Sequence, residues 1–247
     1  MRGLLAACRY LTVLPLPARE HEEDLGRAAG WFPVVGLVLG LGLAAATLTI
    51  GVLLPPLVAA VLIVALWAGL TGGLHLDGVA DTLDGLGGGW TREEALLIMR
   101  DSGTGAYGVT GIVLVLGLKI ATLASLPAGL SWRAVILAPV LARLGPLVLA
   151  RLCPAARGEG AGHAFVLSVR MPGLGAAVVV GAGVAVSLIG PWGALLVGAA
   201  VADAVAFALY LRRRLGGLTG DCLGALVEAS EASTLTLLVM LARLEVL

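Results

Sequence analysis

The chain has few charged residues for its length. Only 13% of its 247 residues are Asp, Glu, Lys or Arg, whereas 59% are hydrophobic, and the mean hydropathy is +1.02. A soluble domain has about 25% charged and about 45–50% apolar residues. The shortage of charge excludes an ordinary soluble domain and indicates an integral membrane protein.

The sequence also lacks a basic stripe and a paired cysteine motif. The 16 basic residues balance the 16 acidic ones, and they are scattered except at 212–214. A nucleic-acid-binding protein would carry a basic stripe, so no nucleic acid partner is expected. The three cysteines, Cys8, Cys153 and Cys222, are odd in number and form no C-x-x-C pair. This pattern argues against a disulfide framework or a zinc site.

Seven apolar stretches are long enough to be read as membrane helices. They cover residues 32–54, 56–74, 107–127, 132–153, 173–190, 193–211 and 232–247. They predict an all-α fold, a polytopic membrane helix bundle that forms one domain over residues 1–247. Lys119, Arg143 and Asp203 fall inside these stretches, so their side chains should face the protein interior or a wet cavity.

The connecting segments separate by charge. Residues 55–56, 128–131 and 191–192 contain no Lys or Arg. The opposite segments hold Arg2, Arg9, Arg19, Arg27, Arg92, Arg100, Arg157, Arg170 and Arg212 to Arg214. The positive-inside rule then predicts a cytoplasmic (inner) membrane protein with a cytosolic N-terminus and active site, and a C-terminus outside. The cytosolic parts would include 1–31, 75–106 and 212–231, and Met1 to Pro17 should lie at the interface or re-enter the membrane.

Three aspartates share one face of a predicted helix. Asp77, Asp81 and Asp84 follow i, i+4, i+7 spacing after an apolar stretch, which places them within an arc of about 60°. An aspartate at the centre of a membrane helix costs about 2.5–3.5 kcal/mol, and the cost falls toward the interface. Mg²⁺ prefers hard oxygen ligands and phosphate co-ligands. The stripe therefore predicts a magnesium and phosphate site rather than a solvated helix end.

A second polar segment follows. Residues 91–94 (TREE) read as a capping box that starts a helix through about Asp101. Arg100 can grip phosphate oxygens, and the glycine-rich turn after it carries the hydroxyl donors Ser102 and Thr104. An ordinary glycine-rich turn is the alternative.

A third segment resembles the first. Gly72-Gly73-Leu74-x-x-Asp77 recurs as Gly216-Gly217-Leu218-x-x-Asp221, and the same offset carries Asp84 onto Glu228. This suggests a parallel pseudo-repeat whose two acidic helices face each other across one active site. Chance similarity of a short motif is the alternative.

The three histidines indicate little about function. His75 lies about 160° around the helix from Asp77, so an interfacial and a substrate-binding role are both open. His21 and His163 fall in polar segments and receive no role, and the loop 154–172 carries no functional signal.

The run at 72–85 (GGLHLDGVADTLDG) resembles the signature of the cobalamin synthase family, also called adenosylcobinamide-GDP ribazoletransferase. Residues 99–105 and 215–225 resemble the second and the C-terminal motif of that family, and residues 11–17 and 32–37 fit its N-terminal pattern. The match covers nearly the whole chain, with no departure at the acidic positions.

The resemblance implies a Mg²⁺-dependent transfer. Adenosylcobinamide-GDP would react with α-ribazole or its 5′-phosphate to give adenosylcobalamin or its 5′-phosphate and GMP. The metal ligands would be Asp77, Asp81 and Asp84, completed by Asp101, Asp221 or Glu228, with Asp84 as the base for the attacking hydroxyl. Substrate contacts would come from Arg100, Ser102, Thr104, Arg213, Arg214, Thr219 and His75. The lipid bilayer surrounds such a protein, and a homo-oligomer or other corrinoid-pathway enzymes are further candidate partners.

Two alternatives stay open. A CDP-alcohol phosphotransferase also uses clustered aspartates on membrane helices, but the step Ala80-Asp81 here lacks the Ala-Arg pair of its pattern. An ion-coupled transporter would use Asp203, Arg143 and Lys119 as an intramembrane relay. It does not explain why the acidic and glycine-rich motifs gather on one aqueous face.

Overall fold

A computed structural model describes residues 2–16 and 28–247. The acidic run 20–24 with His21, and the topology residues Arg19 and Arg27, lie outside the described residues. The helices are α1 (Arg2–Leu11), a 3₁₀ helix (Ala29–Trp31), α2 (Phe32–Leu53), α3 (Pro56–Leu70), α4 (Leu74–Gly88), α5 (Arg92–Ile98), α6 (Ala106–Ser125), α7 (Ala128–Ala142), α8 (Gly145–Leu152), α9 (Ala161–Ser168), α10 (Met171–Ile189), α11 (Trp192–Arg214) and α12 (Gly220–Arg243). This confirms the predicted all-α fold.

Within the described ranges, six helical segments are long and apolar enough to cross a membrane. They are Ala29–Leu53, Ala106–Ser125, Ala128–Leu152, Met171–Ile189, Trp192–Arg214 and Gly220–Arg243. A seventh crossing exists only if α3 and α4, which are joined by a sharp bend, are counted as one span. The prediction of about seven spans is thus confirmed, although the last helix starts at Gly220 and not near residue 232. It starts there because the Thr219 side chain accepts a hydrogen bond from the backbone N–H of Cys222 and caps the helix.

A sharp bend separates α3 from α4. Gly72 and Gly73 have φ values of +63° and +70°, a left-handed conformation that glycine adopts without steric cost. The two helix axes differ by 89° as a result. Helix α4, with its aspartates, therefore turns away from the direction of α3 and is not one of the six spanning segments.

Helix α7 forms the centre of the bundle. Its residues 134–142 are all buried, and it packs between α2 and α12. Helix α12 in turn contacts α4, α6 and α11. This position makes α12 the helix that connects the membrane core to the aspartate segment.

Charged side chains inside the bundle form a closed network. Lys119 Nζ on α6 lies 2.9 Å from Glu228 Oε2 and 2.5 Å from Glu231 Oε2, both on α12. Arg143, which follows α7, pairs with the other carboxylate oxygen of Glu231. Two cations and two carboxylates therefore balance one another within the low-dielectric core.

The network tests two statements of the sequence analysis: the interior positions of the charged residues and the alternative of an ion-coupled transporter. The interior positions of Lys119 and Arg143 are confirmed, since both are buried, and Asp203 is half-buried. Because Lys119 and Arg143 are each held by a glutamate, the network also argues against the open relay that an ion-coupled transporter would need.

The Glu231→Gln substitution should strongly destabilise the protein. It leaves Arg143 without a carboxylate partner and removes one of the two that Lys119 has, and breaking a buried ion pair costs about 3–5 kcal/mol. Glu228→Gln should cost less, because Lys119 keeps Glu231. Thermal unfolding in detergent, followed by circular dichroism, measures both. Glu245→Gln, at an exposed position, is the control, and a loss for Glu231→Gln no larger than for this control would contradict the prediction.

Candidate active site

Two glycines bring α4 and α12 into backbone contact. A Cβ atom added at Gly78 would lie 2.6 Å from the carbonyl oxygen of Asp221, and one at Gly224 would lie 3.2 Å from His75 Cα. Asp77 and Asp221 each lie in the first turn of their helix, and both line one cavity. The two copies of the Gly-Gly-Leu-x-x-Asp motif therefore meet at one place, as the pseudo-repeat predicts.

The carboxylates at this crossing repel one another. Asp77 is exposed, whereas Asp81 and Asp221 are half-buried. Burial and then the negative charges of Asp77, Asp221 and Asp84 raise the pKa of Asp81 to about 6. A cation placed among these groups would relieve the repulsion.

Asp84 has a different environment from the other two aspartates of the stripe. It is buried, and its oxygens accept hydrogen bonds from the backbone N–H groups of Gly105 at 2.7 Å and Gly108 at 2.8 Å. It thus caps the N-terminus of α6. These hydrogen bonds give Asp84 a structural role, but each carboxylate oxygen keeps a second lone pair, so its roles as metal ligand and base stay predictions.

Two further predicted metal ligands are not brought to the crossing. Glu228 belongs to the buried network with Lys119. Asp101 is exposed, and its Oδ1 accepts the N–H of Gly103 in the same turn at 3.0 Å. The pseudo-repeat thus places Asp221 beside Asp77, but it does not place Glu228 in an equivalent site.

The predicted phosphate-binding arginines have different environments. Arg214 Nη2 donates to the carbonyl oxygens of Leu86 at 3.2 Å and Gly89 at 3.0 Å, so it caps the C-terminus of α4. Arg213 is exposed. Arg100 is also exposed, with a guanidinium nitrogen 3.9 Å from Glu159. Arg100 and Arg213 are therefore available to a ligand, whereas Arg214 is used by the fold.

The predicted polar contacts also differ in their surroundings. Ser102 and Thr104 are exposed in the turn before α6. Thr219 is buried and serves as the N-terminal cap of α12.

The predicted capping box at Thr91 and Glu94 is confirmed, since each side chain accepts a hydrogen bond from the other residue's backbone N–H.

His75 is buried beside the ion network. Burial and then the positive charge of Arg143 lower the pKa of His75 to about 3, so its imidazole is neutral at pH 7. Its Nδ1 has no hydrogen-bond partner within the part of the chain that the structure describes. His75 and Asp77 nevertheless line the same cavity.

The segment 154–172, which gave no signal in the sequence, forms part of the site. Its helix α9 approaches α12 so closely that a Cβ atom at Gly162 would lie 2.8 Å from the backbone nitrogen of Gly220. Arg157, His163 and Asp221 line a cavity of about 100 Å³ there. The closely spaced glycines at 158, 160 and 162 are a signal that could have indicated this contact.

The comparison with known proteins identifies the family. The chain matches the cobalamin-5-phosphate synthase family over residues 3–239. The chain belongs to this family. It is 43% identical over 242 residues to a protein of Ectopseudomonas mendocina (strain ymp), with 95% of the chain and 97% of that relative covered. It is 39% identical over 250 residues to one of Brevibacillus brevis (strain 47), with 97% and 98% covered. Both relatives are named adenosylcobinamide-GDP ribazoletransferase.

A third relative shows the same extent of likeness. A protein of Roseiflexus sp. (strain RS-1) with the same name is 41% identical over 254 residues, with 98% of the chain and 90% of the relative covered. No solved structure matches the chain. The family membership confirms the resemblance that the motif at 72–85 indicates.

A Gly78→Ala substitution should destabilise the crossing. The added Cβ meets the backbone of Asp221, which cannot turn aside as a flexible side chain can, and overpacking costs about 1–3 kcal/mol. The control is Gly117→Ala on α6, where no atom lies within 4 Å of the added Cβ and helix propensity favours alanine by up to about 1 kcal/mol. Denaturant unfolding in detergent should show opposite signs for the two variants. Equal stability of both would contradict the close contact.

The Asp84→Asn substitution should destabilise the protein by about 1–3 kcal/mol, because an amide has one acceptor oxygen and leaves one N–H of the α6 terminus unpaired. Asp77→Asn, at an exposed position, should stay within about 0.5 kcal/mol of the original. The unfolding midpoint of each variant in detergent measures the difference. A loss for Asp77→Asn as large as that for Asp84→Asn would be the opposite result.

Proposed function

We propose that this chain transfers the cobinamide phosphate group of adenosylcobinamide-GDP to α-ribazole or its 5′-phosphate, which gives adenosylcobalamin or its 5′-phosphate and GMP. The name of the relatives supports this reaction. The observation that carries it is the meeting of Asp77, Asp81 and Asp221 at the crossing of α4 and α12. These carboxylates could bind a divalent cation that the diphosphate substrate carries with it, because Mg²⁺ is commonly held by one or two carboxylates together with substrate phosphates.

The reaction exchanges one P–O bond for another. A ribose hydroxyl of the ribazole attacks the phosphorus that carries the cobinamide, the bond from this phosphorus to the bridging oxygen breaks, and GMP leaves with that oxygen. Such a transfer asks chiefly for in-line positioning and for neutralisation of phosphate charge. The hydroxyl proton passes to a carboxylate, and we assign this role to Asp81, because it is half-buried at the crossing beside Asp77 and Asp221, which would hold the cation.

The donor set fits Mg²⁺ bound together with substrate. No three His, Cys, Asp or Glu side chains among residues 2–16 and 28–247 are grouped to hold a metal by themselves. Mg²⁺, however, commonly keeps several waters and takes one or two carboxylates plus substrate phosphates. Asp77 and Asp221 would hold it. When bound, the ion supplies neutralisation of the diphosphate charge.

Basic and hydroxyl groups around the carboxylates would hold the phosphates. Arg100 and Arg213 are exposed, and Arg157 lines the cavity beside Asp221. Ser102 and Thr104 are exposed hydroxyl donors near Arg100 in the chain. Arg157 donates from Nη2 to the carbonyl oxygen of Leu96 at 2.7 Å, but its Nε has no hydrogen-bond partner within the described residues. In this proposal Arg157 therefore takes the place that the sequence suggested for Arg214.

The proposed orientation places this face in the cytosol of the inner membrane. Arg100, Arg157 and Arg213 lie in the connecting segments on the side predicted as cytosolic. Arg157 lines the cavity next to Asp221, and Arg100 lies 3.9 Å from Glu159 of the same cavity. Both substrates carry phosphate or nucleoside groups that are found in the cytosol, so a cytosolic site suits their supply. The positive-inside rule supports the same orientation.

The experiment measures GMP release by membranes that contain the protein. Adenosylcobinamide-GDP with α-ribazole and Mg²⁺ should release GMP, and omission of α-ribazole or addition of EDTA should stop it. Asp77→Asn should lower the rate by about 100-fold or more, because a ligand of the cation is lost.

The matched control is Glu93→Gln, an exposed acidic residue on α5, which should keep the original rate. Near-normal turnover of Asp77→Asn at saturating Mg²⁺ would remove Asp77 from the site. Absence of GMP from the unmodified protein would overturn the proposed function.

A further inference from the structure

A second feature of the crossing is the cavity beneath Asp77 and Asp221. Its volume is about 130 Å³. Tyr10, Phe32 and Phe165 form one of its walls, with ring centroids 6.0 Å apart for Tyr10 and Phe32 and 5.5 Å apart for Phe32 and Phe165. Aromatic residues make up only 4% of the chain, and two of its three phenylalanines lie here. The wall suits a flat aromatic ligand.

Buried polar groups without partners also line this cavity. Arg143 is fully buried, and its Nη1 bonds to Glu231, whereas its Nε and Nη2 have no hydrogen-bond partner within the described ranges. His75 is 3% exposed, and its Nδ1 is likewise without a partner there. An unsatisfied buried group costs about 1–3 kcal/mol. Because a guanidinium only donates, Arg143 calls for a ligand with an acceptor atom.

The opening of the cavity determines which substrate part could enter. Asp77 and Asp221 line it together with the aromatic wall, so a ligand held inside would present its outer end to the carboxylates. Asp221 and Gly220 also line the neighbouring polar cavity with Arg157 and His163. One cavity is thus largely apolar with an aromatic wall, the other is polar, and Asp221 lines both.

We infer that the aromatic cavity binds the benzimidazole base of α-ribazole, with the ring against Tyr10, Phe32 and Phe165 and the free ring nitrogen accepting a hydrogen bond from Arg143. This inference rests on the proposed function and assigns the site of its nucleophile. The ribose then lies at the opening, where its hydroxyl meets the phosphorus held near Asp77 and Asp221. The polar cavity beside Arg157 is left for phosphate groups.

The other parts of the substrates fit less well. A corrin ring is far larger than a cavity of about 130 Å³. Guanine also offers acceptors, O6 and N7, to a guanidinium, but it brings N–H donors as well, which an aromatic wall cannot accept; a raised KM for adenosylcobinamide-GDP in the second test below would assign the cavity to guanine and overturn the inference. Benzimidazole combines an apolar ring with a single free acceptor nitrogen, which matches an aromatic wall and unpaired N–H groups.

The first test leaves the protein unchanged and varies the ligand. Equilibrium dialysis measures the binding of α-ribazole to the detergent-solubilised protein, without corrinoid. The indole analogue of α-ribazole, in which a C–H replaces the free ring nitrogen, should bind at least about tenfold more weakly, or about 1.4 kcal/mol, because the buried donor stays unpaired. Equal affinity of the two nucleosides would overturn the inference.

The second test fills the cavity. Val227 lines it from α12, and Val227→Phe should raise the Kd and the KM for α-ribazole at least about tenfold while the KM for adenosylcobinamide-GDP stays unchanged. Val239→Phe, on the same helix but outside the cavity, is the matched control and should bind α-ribazole normally.

The outcomes separate the two proposals. If the unmodified protein releases GMP but Val227→Phe binds α-ribazole as tightly as the control does, the base lies elsewhere, and only the cavity assignment is overturned. If the unmodified protein releases no GMP, the proposed function itself is overturned, and this inference is overturned with it.

Discussion

The site depends on the backbone contact between α4 and α12. Gly78 and Gly224 allow the two helices to approach more closely than any side chain would permit. Each helix carries an aspartate in its first turn, so this contact places Asp77 and Asp221 beside one cavity. The sharp turn at Gly72 and Gly73 is the second condition, since without it α4 would continue α3 and would not reach α12.

Charged side chains have two different environments in this protein. Inside the bundle, Lys119 and Arg143 are matched by Glu228 and Glu231, which makes the network neutral and closed. At the crossing, no Lys or Arg among the described residues forms an ion pair with Asp77, Asp81 or Asp221, and the neighbouring charges raise the pKa of Asp81. The first group stabilises the bundle, whereas the second is the group that we propose binds the cation and the diphosphate.

Several arginines near the site serve the backbone. Arg92 donates to the carbonyl oxygens of Leu215 and Ala156, Arg157 donates to that of Leu96, and Arg214 caps α4. These contacts join α5, the segment before α9 and the end of α11 around the aspartates. Arginine thereby satisfies chain ends that would otherwise lack partners and holds the polar segments in place.

Local spacing in the sequence determined the helical class, the common face of Asp77 and Asp81, the capping box at Thr91 and the interior positions of Lys119 and Arg143. These properties depend on periodicity and hydropathy, which neighbouring residues define. The tertiary structure alone decided that Asp84 caps α6, that Glu228 pairs with Lys119, and that the segment with Arg157 and His163 lies beside Asp221. Those partners are far apart in the chain, and only the packing of helices against one another brings them within hydrogen-bonding or ion-pairing distance.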